Sequence, residues 1–481
     1  MKFTSLFLLL FCTSFCFGQK QTAHWYFGDY AGIDFNSGNA STHFGGALKG
    51  EEACASISDS TGKLLFYSNG LQVWNTNLFV MPNGNNLTGA MSTAQMLIVP
   101  HPGNSKKYYI FYADAFGGPE GLRYSEVDMN LDNGLGDVVS ASKNTLLHNN
   151  STEKMTAVRH CNGEFVWLLT QEYTTNQFFA YLIDKTGIHG PVKSPSGNTY
   201  GWCCNNLKFS PNGDYVAYTE SLANSKSVSA KLYSFDSQSG KTSYITSLPV
   251  DSAEGELQYG LSFSPNSSKL YISSLLYRSA FGNKNEVYQY NLESNNIKTS
   301  KTKVYSGNSV LNGNSVVLGS IQNALDGKMY IAKMASGGSA KDTLAVIHHP
   351  DSTGASCGFD YHGLYLSGRS STLGLPNFME SYFNPTKNKP DTCSYIGVHE
   401  NTLANGPQVY PHPTQGTFYL DFEDYQKEVE ITLFDLAGSV VHKKHFENCT
   451  SIEMDYDKAG SYVLCLKASG GTSYQRLIIS P

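Results

Sequence analysis

Six copies of one pattern lie between Trp25 and Phe383: a strand, a tight turn, a second strand, then a third. The clearest are Leu207-Lys208-Phe209-Ser210-Pro211-Asn212-Gly213-Asp214-Tyr215-Val216-Ala217-Tyr218 and Leu261-Ser262-Phe263-Ser264-Pro265-Asn266-Ser267-Ser268-Lys269-Leu270-Tyr271-Ile272. Weaker copies turn at Gly62, Asn104, Gly163 and Gly327, so successive turns stand 42 to 60 residues apart. Third strands follow in step over 73–81, 122–129, 178–184, 231–236, 286–292 and 344–349. A period near fifty with three or four short strands per unit predicts propeller blades. A solenoid could share the period, but these copies vary in length and nothing resembles a polar end cap.

The leftover segments set the blade count. Trp25-Tyr26-Phe27-Gly28 and Gly32-Ile33-Asp34-Phe35 read as second and third strands lacking a first. Thr372-Leu373-Gly374-Leu375-Pro376-Asn377-Phe378 reads as a first strand lacking its followers. Joined, they make a composite seventh blade that closes the ring and removes exposed sheet edges. Seven blades are therefore expected, with six or eight as alternatives. The expected class is all-β: a seven-bladed β-propeller over 19–383, a linker over 384–408, and a small C-terminal β-sandwich over 409–481. Composition agrees: only 15% of residues are charged, while 31 Tyr and 26 Phe suit aromatic strand positions. A formal net charge of −6 gives no basic footprint for nucleic acid.

Both ends of the chain read as addresses. Lys2, the apolar run Leu6 to Phe11, and Cys16-Phe17-Gly18 before Gln19 form a signal peptide over 1–18. No other stretch is long and apolar enough to span a bilayer. At the far end stand Val409-Tyr410-Pro411-His412-Pro413-Thr414-Gln415-Gly416-Thr417-Phe418, then Ile431-Thr432-Leu433-Phe434-Asp435-Leu436-Ala437-Gly438, then Gly460-Ser461-Tyr462-Val463-Leu464. Six short β-rich segments over 416–423, 428–435, 439–446, 451–456, 461–468 and 473–480 suggest a sandwich. Pro411 and Pro413 suit its leading edge, and Gly416, Gly438 and Gly460 suit its tight turns. The module resembles the C-terminal (type A) sorting domain of proteins exported by the bacterial type IX secretion system, with Pro411, Pro413, Gly416, Gly438, Gly460 and Tyr462 on its motifs. It departs in two places: His412 stands where the family usually has Asn, and the chain ends in Ser480-Pro481 rather than on a basic residue. The resemblance implies contact with the type IX machinery, passage across an outer membrane, removal of the tail, and release or attachment to surface lipopolysaccharide. The segments 25–28, 62–70, 153–158 and 374–378 also resemble a propeller family common among such cargo.

Ten cysteines less Cys12 and Cys16 leave eight in an oxidising compartment. Spacing alone does not pair them. A hairpin about Asp457 would set Ile452 opposite Tyr462 and Cys449 opposite Cys465, within disulfide reach. Cys203-Cys204 could bond each other, pair with distant partners or stay thiols. No C-x-x-C pair supports a zinc site.

Catalytic motifs are absent or broken. In Asp128-Met129-Asn130-Leu131-Asp132-Asn133-Gly134 the Gly falls one place late for a calcium loop, and Val139 replaces the closing Glu. Ser58-Asp59-Ser60-Thr61-Gly62 lacks the spacing and aromatic of a sialidase Asp-box. His348 and His349, adjacent on a strand, point to opposite faces. Asp251-Ser252-Ala253 and Asp342-Thr343-Leu344 resemble short bacterial O-glycosylation sites. No cofactor or metal is implied. In a propeller the loops leading into the innermost strands open on one face, and here they carry Glu51, Glu52, Gln95, Glu153, Lys154, Trp202, Gln258, Gln322 and Asn377. These groups either converge on a glycan or peptide, or hydrogen-bond one another and plug the channel. The expected function is a non-enzymatic, secreted or surface propeller that binds a glycan or protein. The alternatives are a surface hydrolase or lyase, and a structural part of an adhesion or motility apparatus.

Overall fold

The computed structural model describes residues 20–384 and 407–480, apart from 44, 92–94, 174, 198–205, 220–228, 250–255, 277–283, 312–313, 336–340, 436–438 and 469–470. The signal peptide, most of the linker, Trp202, Cys203, Cys204 and Gly438 thus lie outside the described residues. The chain divides into two compact units, 1–393 and 394–481. No helix among the described residues is long and apolar enough to cross a membrane.

Unit one is built of seven antiparallel sheets in chain order. Their innermost strands are His24–Phe27, Ala55–Ser58, Leu97–Pro100, Ser151–Arg159, Leu207–Phe209, Glu256–Phe263 and Asn314–Asn323, and blades 1 to 7 are numbered by these. Each inner strand packs on the next from blade 1 through to blade 7. This is the expected propeller. The repeat's turns show why the copies fold alike. Ser210 Oγ donates to Asn212 Oδ1 (2.6 Å) and accepts the Tyr215 N–H (2.9 Å). Ser264 repeats this with Asn266 (2.9 Å) and Lys269 (3.0 Å). Such Asn and Ser side chains mimic backbone turns and fix the hairpin locally. Ser267 holds a left-handed φ of 65° where blade 5 has Gly213 at 77°. Its hydroxyl accepts the Asn212 N–H (3.1 Å), so it ties the two blades together.

Ring closure follows the expected partners, though not as a regular strand. Residues 372–378 carry no strand; only single bridges, Asp29 with Ser370 and Lys341 with Ser371, mark their start. The segment nevertheless fills the slot between blades 7 and 2. Ser320 N–H donates to the Leu373 carbonyl (2.9 Å), Leu373 N–H to that of Glu51 (3.1 Å), and Asn377 N–H to that of Cys54 (3.1 Å). These bonds pull backbone onto backbone. A Cβ on Gly374 would stand 1.7 Å from the Glu52 carbonyl oxygen, and one on Gly319 2.3 Å from that of Leu373. Only glycine permits so close an approach. Beneath, Trp25 meets Tyr330 and Phe378 at ring distances of 5.6 and 6.0 Å, inside one core with Phe27, Phe35, Leu375 and Phe383.

A buried charge locks the closure. Lys208, on the inner strand of blade 5, sends its Nζ to Gln322 Oε1 (2.6 Å), Asn377 Oδ1 (2.7 Å) and Glu380 Oε1 (2.6 Å). Its side chain is 3% exposed and that of Glu380 0%. Burial pushes the Glu380 carboxyl upward, and the Lys208 ammonium opposes that.

Unit two is a single curled sheet, Gln408–Tyr410, Thr417–Phe434, Val440–Asp455, Gly460–Ala468 and Gly471–Ile479. The four segments expected over 416–456 are two long strands, with a break in register between Asp421 and Gln426. Phe418, Leu420 and Phe422 before the break and Val429, Ile431 and Leu433 after it share one core, so the halves fold onto each other as in a sandwich. The hairpin about Asp457 does not form. Val440–Asp455 and Gly460–Ala468 both pair with Thr417–Phe434, which lies between them. Cys449 therefore faces Gln426 and Cys465 faces Thr432. Both are free thiols, as are Cys54 and Cys357, whereas Cys161 is disulfide-bonded. Replacing Lys208 alone by Met should cost about 3–5 kcal/mol in chemical denaturation, because Glu380 is left buried without its cation. The double change Lys208→Met with Glu380→Leu should recover at least half of that loss.

Candidate functional site

The inner strands bulge where they line the channel. Register breaks fall between Ser151 and Met155, Gln258 and Leu261, and Leu318 and Ile321. Bulges re-aim side chains, and here they start the strands earlier than expected. Glu153, Lys154, Gln258 and Gln322 consequently lie within strands, not in the loops before them.

Gln95, Glu153, Lys154, Gln258, Gln322 and Asn377, six of the nine residues expected at the mouth, are buried. Gln95 bridges three blades: its Oε1 accepts N–H groups of Leu207 (2.8 Å) and Met155 (3.2 Å), and its Nε2 donates to the Leu207 carbonyl (3.0 Å). Gln322 and Asn377 hold Lys208, and Asn377 Nδ2 also donates to the Met155 carbonyl (3.2 Å). Lys154 turns away between blades, with its Nζ 3.3 Å from Gln171 Oε1 and 5.2 Å above the Tyr218 ring. Gln258 is fully buried. Gln95, Gln322 and Asn377 are thus taken up in hydrogen bonds between blades, as buried polar groups generally are.

Two of the nine reach the rim, and a third shapes it. Glu51 is exposed and Glu52 half-buried. The Tyr259 hydroxyl of blade 6 donates to Glu52 Oε2 at 2.7 Å, spanning the ring from blade 6 to the approach to blade 2. Burial raises the Glu52 carboxyl to about 8; the Tyr259 hydrogen bond opposes this, and the charges of Glu153 and Glu51 add to it. Glu153, fully buried, accepts the Phe116 N–H on Oε1 (2.7 Å). It thereby anchors a tight loop whose Asp114 carboxylate also accepts the N–H groups of Ala115 (2.9 Å) and Glu120 (3.2 Å). Phe116 sits there with a left-handed φ of 56° and 58% of its surface exposed. A bulky residue in that region is strained and is held only by its surroundings.

The sequence reading missed Tyr259, Phe116, Lys208 and Glu380. Tyr259 was hidden by parity, because the break after Gln258 swaps which neighbour faces the channel. Lys208 did leave a signal: blade 6 has Ser262 at the matching place in its repeat.

In unit two, Pro411 and Pro413 both follow cis peptide bonds. His412 Nε2 accepts the Ile478 N–H at 3.1 Å, so the ring supplies the acceptor that an Asn carboxamide would offer there. Gly416 takes a φ of 132°, and its carbonyl accepts the Tyr456 N–H (2.9 Å). Tyr462 is buried and donates to the Lys458 carbonyl (3.0 Å). The departure at position 412 therefore leaves the strand pairing intact.

Residues 408–480 match the family model described as Secretion system C-terminal sorting domain. The chain is an exported propeller protein addressed by a type IX sorting domain to the cell surface or beyond. No curated protein shows significant sequence similarity to it. Among solved structures it is similar to Kuenenia stuttgartiensis hydrazine synthase, with 11% identity over 69% of this chain and 89% of that one and a TM-score of 0.41. A putative 6-phosphogluconolactonase from Bacteroides uniformis gives 13% identity, 67% and 92% coverage and a TM-score of 0.40. Xyloglucan PUL GH43B from Bacteroides ovatus gives 11%, 79% and 88%, and 0.32.

A carboxyl raised from 4.5 to about 8 in the folded state holds a proton that the unfolded chain releases. Its contribution is complete at acid pH and is lost as pH rises from about 4.5 through 8. In thermal melts between pH 5 and 8 the Tm of the native protein should fall relative to that of a Glu52→Gln variant.

Proposed function

We propose that the chain is a non-enzymatic binding protein, with 19–383 as the working domain, 384–408 as linker and 409–481 as removable address. Its partner is a glycan or a protein, held across the channel rim by Glu51, Glu52, Tyr259 and the projecting ring of Phe116. The observation carrying this is the loop that displays Phe116. A buried carboxylate, Glu153, is spent on holding an exposed, backbone-strained aromatic beside the channel. Rigid aromatic anchors with few polar neighbours are what recognition surfaces use.

A hydrolase acting on polysaccharide or peptide is the second reading, and one observation favours it. Glu52 is kept protonated near neutral pH, partly by the charge of Glu153. A carboxyl held protonated near neutral pH is what a general acid requires.

One experiment separates them. The full secreted protein is applied to arrays of polysaccharides and peptides, and bound targets are then assayed in solution for new reducing ends or amines. Binding without turnover, weakened about tenfold or more in Phe116→Ala, supports the binding protein. Turnover abolished by Glu52→Gln would move the assignment to the hydrolase. Binding indifferent to both changes would remove the rim from either reading.

A further inference from the structure

We infer a second ligand site, for an oligosaccharide carrying carboxylated sugars, in a groove between blades 1 and 2. It adjoins the channel rim, since the Met91 carbonyl on its lining accepts the Glu52 N–H (2.9 Å). The groove holds about 500 Å³ and is lined by Tyr30, Lys49, Gln72, Trp74, Asn85 and Asn86 among others, within the range of small-molecule clefts.

Its floor is rigid. Trp74 is the last of three stacked rings: Tyr26 on Tyr67 (4.2 Å, 18°), then Tyr67 on Trp74 (5.4 Å, 13°). The Tyr67 hydroxyl accepts the Ala47 N–H at 3.1 Å, which fixes the middle of the stack. One wall is Tyr30, 41% exposed and left-handed at φ 60°. Its backbone is pinned by its N–H to the Leu48 carbonyl (3.0 Å) and by the neighbouring bridge of Asp29 to Ser370. The Arg369 guanidinium lies 6.0 Å from the ring centre, and the ring takes no part in the core beneath. The opposite wall is amide: Gln72 Nε2 donates to Asn85 Oδ1 (2.8 Å), and Asn86, also left-handed at φ 57°, is exposed. Buried Asn69 does different work, since its Oδ1 accepts the N–H groups of Leu71 (3.1 Å) and Gln72 (3.0 Å) and shapes the turn.

Each part has a counterpart in a sugar chain. The exposed Tyr30 ring takes the C–H face of a pyranose over the buried Trp74, and paired amides take its hydroxyls. Lys49 is exposed at the groove and has no ion-pair partner among the described residues, so it favours a carboxylate on the bound sugar. Tyr30 adds a second line of argument. A tyrosine at positive φ is costly, and here its ring stands outside the apolar core with 41% of its surface exposed at the groove.

Calorimetry of the full secreted protein with hexagalacturonate and with cellohexaose tests this. Hexagalacturonate should bind, and more tightly than cellohexaose. Tyr30→Gly should weaken it at least tenfold while Tm stays the same or rises, because glycine is unstrained at that φ. Lys49→Ala should remove the preference for the acidic chain. Phe79→Ala, on a residue 72% exposed in blade 2 and outside the groove, should change nothing. Failure of hexagalacturonate to bind, or binding unmoved by Tyr30→Gly and Lys49→Ala, would overturn the site.

Discussion

A row of radial sheets has two raw edges until something joins the last to the first. In this protein that work falls to residues 370–383, wedged between blade 7 and the approach to blade 2 and clasped by Lys208 from blade 5. The clasp is placed where charge is most expensive, inside the ring. A buried ion pair adds little net stability against a well-packed apolar substitute, but it is unforgiving of half-occupancy. With three oxygen partners around one ammonium, the closing segment has a single acceptable seat. Gly319 and Gly374 let it sit backbone to backbone, and the Trp25–Phe378 cluster removes the apolar underside from water.

That closure also draws on polar groups of the inner strands. Gln95, Lys208, Gln322 and Asn377 are committed to holding blades together. At the outer margin short loops ride on the ring. Phe116 and Tyr30 are alike in this respect. Both are exposed aromatics at positive φ, and both are secured by a neighbour's hydrogen bond. A rigid scaffold that carries strained loops is a common way to build recognition surfaces.

The sequence made the ring legible because its signals are local. Ser-Pro-Asn turns recur, each fixed by its own side chains, and strand alternation follows from them. The pairing of the chain's two ends was also visible, since each end lacked what the other offered. Cross-ring chemistry was not. Lys208 looks like any lysine in a strand until the fold brings residues 322, 377 and 380 to it. Strand bulges hid the mouth by shifting the facing of Gln258 and Tyr259. In the sorting module, two bent strands read as four short ones, because a register break resembles a turn in composition. The supposed Cys449–Cys465 hairpin failed for a related reason: sequence neighbours need not be sheet neighbours.

Amide hydrogen exchange of the intact protein tests the closure most directly. If residues 370–383 are a built part of the ring, the amides of Ser371, Leu373 and Asn377 should exchange only with global unfolding. They should keep pace with the inner strands Ala55–Ser58 and Asn314–Asn323. Exchange of that stretch at the rate of an exposed loop, while those strands stay protected, would show that the ring holds without its latch.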